Sequence, residues 1–324
     1  MSFTVADPAK FRLSRSVLYA IGDQPQTIEA ASSSSADVVL FELEDAVPVT
    51  AKAQARRNVT EALGDLDWGH KTITVRVNAL DSPYTFRDVI SLLEAPTADR
   101  IDLLFLPKVG VAADVYAFDV LVSQVERDVS RAEPVGFDAM IESTAGMANI
   151  KEIAAASPRL EALHLGTYDY AQSAHMGVET VGGSHSDYAL AQPEIGAVVG
   201  DLWHHNVARL VMASRASGLR PIDGPWVHPE DYDADPEGLR VAALRGKVLG
   251  CNGKQAMTPG QASIINDVFS PTTVEIEAAR RACAAAEAAQ AQGQRMVVMS
   301  GHAVDRPTVT AAQQTVAAAD SLGL

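Results

Sequence analysis

Two carboxylates set the chemistry to look for. Glu142 follows the apolar run Gly136–Ile141, and Asp169 follows a second run, Leu160–Leu165, just past Gly166 and Thr167. Each stands where an extended segment gives way to a turn of small residues. Hard oxygen ligands delivered by successive strand ends hold a divalent cation at the mouth of an α/β fold, with the other coordination positions left to water and ligand oxygens. The plainer reading of either residue alone is a loop or helix-capping acid. Their company favours the metal: other apolar runs end in Glu42, Glu44 and Asp45, in Arg76 and Asn78, in Lys108 and in Asp223. Acids gathered around two or three cations are costly unless a bound cation compensates them.

Such a convergence requires elements that bring strand ends together. Short β-rich runs alternate with longer helical patterns, and strands are expected near Val17–Ile21, Val38–Leu43, Thr72–Asn78, Leu103–Pro107, Phe137–Glu142, Leu160–Leu165, Arg220–Asp223 and Lys254–Met257. The runs are continuously apolar, as parallel strands covered by helices are. Eight strands with intervening helices, and no GxGxxG signature, predict an α/β chain folded as a (β/α)8 TIM barrel. In that fold all the strand ends named above meet on one face. Beyond Phe269, an Ala- and Glu-rich stretch, Thr273 to Gln292, reads as a solvent-facing helix of high propensity. A short strand at Met296–Met299, a turn at Ser300–His302, Asp305, and a last helix from Val309 to about Ser321 follow. The expected division is a barrel over 1–270 and a C-terminal helical extension over 271–324, packing over a barrel mouth, that of a neighbouring subunit included.

Composition bounds the partners. The 324 residues carry 26 basic and 41 acidic side chains, a formal charge of -15, which argues against nucleic acid and leaves room for a small anionic ligand. Cys251 and Cys283 form neither a disulfide framework nor a metal-ligand spacing, and His185, His204 and His205 have no zinc-like companions. With no signal-peptide pattern and no run of transmembrane length, the expected setting is soluble and cytoplasmic.

Over nearly the whole chain the sequence resembles malyl-CoA lyase and the wider HpcH/HpaI aldolase group related to the citrate lyase beta subunit. The segments that carry the resemblance are Glu42–Val47, Val75–Leu80, Pro107–Val109, Ile141–Gly146, Leu165–Asp169, Asp223–Pro225, Gly253 and Lys254 with Pro259 and Gln261, and Val304 with Asp305. They occur in order and at the expected strand ends. The resemblance implies a Mg2+-dependent carbon–carbon lyase that breaks a 3-hydroxyacyl-CoA, such as malyl-CoA, methylmalyl-CoA or citramalyl-CoA, into an acyl-CoA and a 2-oxo acid. It implies Glu142 and Asp169 as metal ligands, with Asp45 and Glu44 holding the metal's waters. Arg76 would pair with the acid's oxygens, and backbone N–H groups of Gly166 and Thr167 would hold its carboxylate. Asp305, from an adjacent subunit of a homotrimer or hexamer, would be the acid/base. Tyr19, Arg15, Met257 and Thr258 would contact the CoA ester.

The residues also depart from the family pattern. Gln24 and Ala30 stand where basic residues would meet CoA phosphates, and Tyr168 replaces a small residue beside the metal. Gln255 and Thr258 stand in place of an aromatic and an imidazole. Each site residue has a plain competitor: Arg76 as an ion-pair partner of Glu44 or Glu142, Glu44 and Asp45 as capping acids, Lys108 as a structural lysine, Asp305 as a turn former. The rival functions are a malyl-CoA-type thioesterase, a CoA-independent hydroxy-oxo-acid aldolase, and a non-catalytic subunit.

Overall fold

The computed structural model describes residues 6–185, 188–192, 196–199, 201–293, 297–299 and 302–324. Its strands are β1 (Ser16–Ile21), β2 (Val38–Glu42), β3 (Thr72–Arg76), β4 (Leu103–Leu106), β5 (Gly136–Ile141), β6 (Leu160–Leu165), β7 (Ala189–Gln192), β8 (Gly196–Val199), β9 (Arg220–Asp223), β10 (Gly253–Ala256), β11 (Val297–Met299) and β12 (His302–Val304). Eight of them close a parallel barrel in the order β1-β10-β9-β6-β5-β4-β3-β2. The expected (β/α)8 architecture is therefore the observed one, with every expected strand in place. The barrel closes because these segments are apolar on both faces. Val39 and Phe41 pack outward under helices, while Val17, Val38, Leu40, Phe105, Met140, Ala162 and Ile222 fill the interior with Tyr19 against them.

The barrel carries an insertion that the reading of the sequence does not contain. An antiparallel hairpin, β7 with β8, is inserted between β6 and β9; its short Ala-, Gly- and Val-containing runs carry no strand-length apolar signal. After Glu142 the chain forms two short helices, Thr144–Ala148 and Ile150–Ala154, meeting at Asn149.

The chain divides into two compact units, Met1–Val268 and Phe269–Leu324. In the second, Thr272 and Glu275 form a capping box that starts the helix Thr273–Ala291; the Thr-x-x-Glu spacing satisfies two otherwise orphaned backbone donors reciprocally. That helix is not solvent-facing all round. Its Ala279 and Ala282 are buried with Val304 and with Ala312 of the helix Arg306–Ser321, small side chains that let the two helices approach closely. The tail strand is described as Val297–Met299; Met296, Ser300 and Gly301 lie outside the described residues.

Candidate active site

The loop after β2 is built first by its backbone. Lys52 donates to the carbonyls of Leu43 and Glu44 at 2.8 and 2.6 Å, and Asn78 donates to Leu43 at 3.0 Å. Asn78 is itself held by Asp88 at 2.6 Å. This pins Glu44 and Asp45 against the end of β3, where Arg76 projects into the mouth. The Arg76 guanidinium reaches Glu42 at 3.1 Å, Glu44 at 2.5 Å, Glu142 at 3.5 Å and Asp45 at 3.6 Å. Lys108, after β4, closes the ring: its ammonium sits 2.7 Å from Glu44 and 2.8 Å from Asp45. Its backbone is left-handed, φ 53°, a conformation uncommon for a residue with a side chain. In that conformation its N–H donates to Glu142 at 2.6 Å, so the strain is matched by a short bond to a buried carboxyl oxygen.

Glu142 and Asp169 come together. Their carboxyl groups are within hydrogen-bonding contact, Glu142 buried and Asp169 half-buried. Gly166 makes this possible by its size: a Cβ there would lie 2.3 Å from the Glu142 Cβ. Burial, opposed by Arg76 and reinforced by Asp169, pushes the Glu142 carboxyl up to about 8. Burial likewise raises Glu44, to about 6, against the pull of Arg76 and Lys108. In this coupled pair the more exposed Asp45 is the ionised partner: burial works against its charge, but Lys108 outweighs it and holds the group low. Glu42 is also raised by burial. Arg76 stays protonated because Glu42 and Glu142 more than offset its desolvation. Four carboxyl groups thus surround the Arg76 guanidinium and the Lys108 ammonium, with Asp169 against Glu142 as a fifth, an acid-rich cluster whose charge a divalent cation would offset.

Among the described residues no group of three or more His, Cys, Asp or Glu is placed to hold a metal ion. The candidate ligands are the two facing carboxylates, which fit a hard cation that keeps water or ligand oxygens in its other positions. A cavity of about 270 Å³ is lined by Glu44, Asp45, Asn78, Ser82, Tyr84 and Lys108.

Several expected site residues lie elsewhere or act differently. Arg15 precedes β1 and so sits at the opposite, N-terminal end of the barrel, roughly 20 Å of strand away, where its guanidinium and N–H bind Asp37 at 2.7 and 2.8 Å. It does not face the mouth. The Gly166 N–H is already donated to the Ile141 carbonyl at 3.0 Å, so it is not free for a ligand carboxylate; Thr167 opens the helix Thr167–Ser173 and keeps a first-turn N–H. Tyr19 lies in the barrel interior with its hydroxyl on Gln255 at 3.1 Å, forming floor rather than a phosphate contact. Thr258 accepts from Gln261 N–H and donates to Asp233 at 2.7 Å, and the Met257 N–H is donated to Gln261 at 3.0 Å; both are half-buried. Asp223 faces away from the mouth, buried against Lys254 at 2.7 Å and Arg245 at 3.3 Å. Tyr168 is 58% exposed, so its ring stands in solvent instead of shrinking the acid pocket. In the second unit, exposed Asp305 caps the helix Arg306–Ser321 by accepting from the Thr308 N–H at 3.1 Å.

The strand-end acid to which the reading of the sequence gave no role of its own is Glu42. It is buried, accepts from the Glu44 N–H and pairs with Arg76. Alternation along β2 was the available signal, since Leu40 and Glu42 share the inward face.

Comparisons with known proteins identify relatives of the chain. A relative from Cereibacter sphaeroides (strain ATCC 17025 / ATH 2.4.3), named L-malyl-CoA/beta-methylmalyl-CoA lyase, is 43% identical over 322 residues, 99% of each chain. Another from Cereibacter sphaeroides (strain ATCC 17023), named (3S)-malyl-CoA thioesterase, is 35% identical over 308 residues, 95% of each. A solved structure of the protein CitE from Mycobacterium tuberculosis in complex with magnesium, acetoacetate and coenzyme A matches with a TM-score of 0.66 at 23% identity, covering 95% of this chain and 98% of that one; at that identity it speaks for the fold. Residues 15–259 match the HpcH/HpaI aldolase/citrate lyase family. With the match running from the foot of β1 to just past β10, and with a relative named L-malyl-CoA/beta-methylmalyl-CoA lyase matched over 99% of each chain, this chain belongs to the HpcH/HpaI aldolase/citrate lyase family and is a carbon–carbon lyase.

Proposed function

We propose that the chain cleaves a 3-hydroxyacyl-CoA of the malyl-CoA, methylmalyl-CoA or citramalyl-CoA type into an acyl-CoA and a 2-oxo acid, reversibly and with Mg2+. The observation that carries this reading is the contact between Glu142 and Asp169 next to Arg76 at the C-terminal mouth of the barrel. Those two carboxylates would hold the ion. Bound there, Mg2+ supplies Lewis-acid polarisation and a template for the carboxylate and carbonyl oxygens of a 2-oxo acid.

This chain's own residues would do the rest. Arg76, cationic and buried, offsets negative charge on the same oxygens as it develops. Glu44 and Asp45, tethered by Lys108, orient water at the metal. Cleavage breaks the bond between C2 and C3 of the thioester: the C3 hydroxyl would give its proton to a carboxylate or water of the mouth as it becomes a carbonyl, and the electron pair left on C2 as an enolate would take up a proton in turn. Asp305, supplied by the 271–324 extension of a neighbouring copy in a homotrimer or hexamer, would exchange a proton with that carbon. Its bonds from Thr308 hold it ionised, the form needed to take a proton from the acyl methyl in the condensing direction.

A second reading has one observation in its favour, the relative named (3S)-malyl-CoA thioesterase. Incubation with malyl-CoA and Mg2+ separates the two. A lyase releases glyoxylate and acetyl-CoA; release of malate and free CoA would replace this reading with hydrolysis. Saturable binding of CoA is expected as well, and its absence would point to an aldolase that works without the thioester carrier.

A further inference from the structure

A hydrogen-bonded line leads from the floor of the carboxylate cluster into the barrel interior. The Tyr19 hydroxyl donates to Gln255 Oε1 at 3.1 Å, Gln255 Nε2 donates to His164 Nδ1 at 3.3 Å, and His164 Nε2 donates to Asp138 Oδ2 at 3.2 Å. Four inward-facing side chains from β1, β10, β6 and β5 supply it, and apart from Tyr19 all are buried. Its upper end belongs to the site, since the Tyr19 phenol lies in the field of Arg76, Glu42, Glu142 and Glu44.

The line has a direction, and the direction is set at its lower end. Burial works against the Asp138 charge, but the His164 bond and the Arg220 and Arg12 cations outweigh it, so Asp138 is a carboxylate that only accepts. The hydrogen of His164 is then on Nε2. The Gln255 amide nitrogen is turned toward Nδ1, and because an amide nitrogen only donates, Nδ1 accepts. Met140 supports that orientation, with its sulfur 3.6 Å from the same nitrogen. The Gln255 carbonyl consequently faces Tyr19 and takes its proton.

We propose that Gln255 and His164 are positioning residues that commit the Tyr19 proton to the barrel interior, so that the phenolic oxygen offers only lone pairs to the mouth and receives the C3 hydroxyl of a 3-hydroxyacyl thioester. The substrate part of this inference rests on the lyase reading. A 2-oxo acid carries no hydroxyl to donate, so the contact distinguishes the hydroxy substrate from the oxo product and is lost as the carbonyl forms.

The test pairs kinetics with a measurement that needs no turnover. Gln255→Met keeps volume and removes the relay; Tyr19→Phe removes its end. Each should raise KM for malyl-CoA about tenfold, the worth of one hydrogen bond, while glyoxylate affinity stays within about twofold. The double variant should lose no more than about twofold beyond either single one, because both remove the same contact. In ¹⁵N NMR of histidine-labelled protein, the His164 Nδ1 signal, assigned with His164→Asn, should be that of an acceptor nitrogen and should move toward the free imine position in Gln255→Met. Multiplicative losses, equal losses for malyl-CoA and glyoxylate, or an unmoved His164 signal would overturn the proposal. If the unaltered protein cleaves no 3-hydroxyacyl thioester, the lyase reading fails, and the NMR arm still decides the relay.

Discussion

At the scale of single residues, Glu142 carries a large electrostatic consequence near neutral pH. Its carboxyl is raised from the ordinary glutamate range to about 8 by burial, with Asp169 adding to it and Arg76 opposing. In the unfolded chain the same group titrates near its usual value of roughly 4.3. Between those values the folded protein binds the extra proton, so the stabilisation is complete at low pH and is lost as pH rises through about 8. Protein stripped of divalent cations should therefore lose stability from pH 5 to pH 8, on the order of 1 kcal/mol per unit. Glu142→Gln should flatten that slope, and Mg2+ should raise Tm more at pH 8 than at pH 6. Thermal melts across pH with and without Mg2+ check this; a slope unchanged in Glu142→Gln would assign it to other groups. Glu142, Asp169 and Arg76 were legible in the sequence because each ends an apolar run. Glu42 was harder to read, hidden in the acidic stretch Glu42–Asp45, where only strand alternation separates the inward-facing acid from its neighbours. Arg15 was misread because residue type was weighed without strand polarity: a residue before β1 enters the barrel from the far end.

At the scale of elements, the eight barrel strands could be read because parallel strands under helices are apolar on both faces. The β7–β8 hairpin could not, since four-residue strands of Ala, Gly and Val have neither the length nor the alternation to be told from loop. The polar interior was equally hidden: His164 and Gln255 lie 91 residues apart in sequence, and only barrel closure brings them together. The interior layer itself gives a prediction. Leu40, fully buried among Val17, Phe105 and Met140, has no route to collapse when truncated in a closed barrel. Leu40→Ala should cost roughly 2–5 kcal/mol in urea unfolding; a loss under about 1 kcal/mol would mean that the interior repacks freely.

At the scale of the whole molecule, the proposed chemistry needs a residue from each unit: metal ligands from Met1–Val268 and Asp305 from Phe269–Leu324. If the extension acts on a neighbouring copy, two inactive variants can rescue one another. Glu142→Gln and Asp305→Ala should each be inactive alone. Dissociated, mixed and reassembled, they should regain lyase activity, because some sites then combine an intact metal pair with an intact Asp305. No regain in verified mixed oligomers would confine Asp305 to its own chain or to helix capping.

Titration of the protein with Mn2+, followed by electron paramagnetic resonance, tests most directly whether Glu142 and Asp169 form a cation site. One ion should bind per chain in the unaltered protein, compete with Mg2+, and fail to bind in both Glu142→Gln and Asp169→Asn while circular dichroism reports an unchanged fold. Binding of undiminished stoichiometry and affinity in either variant would contradict the account.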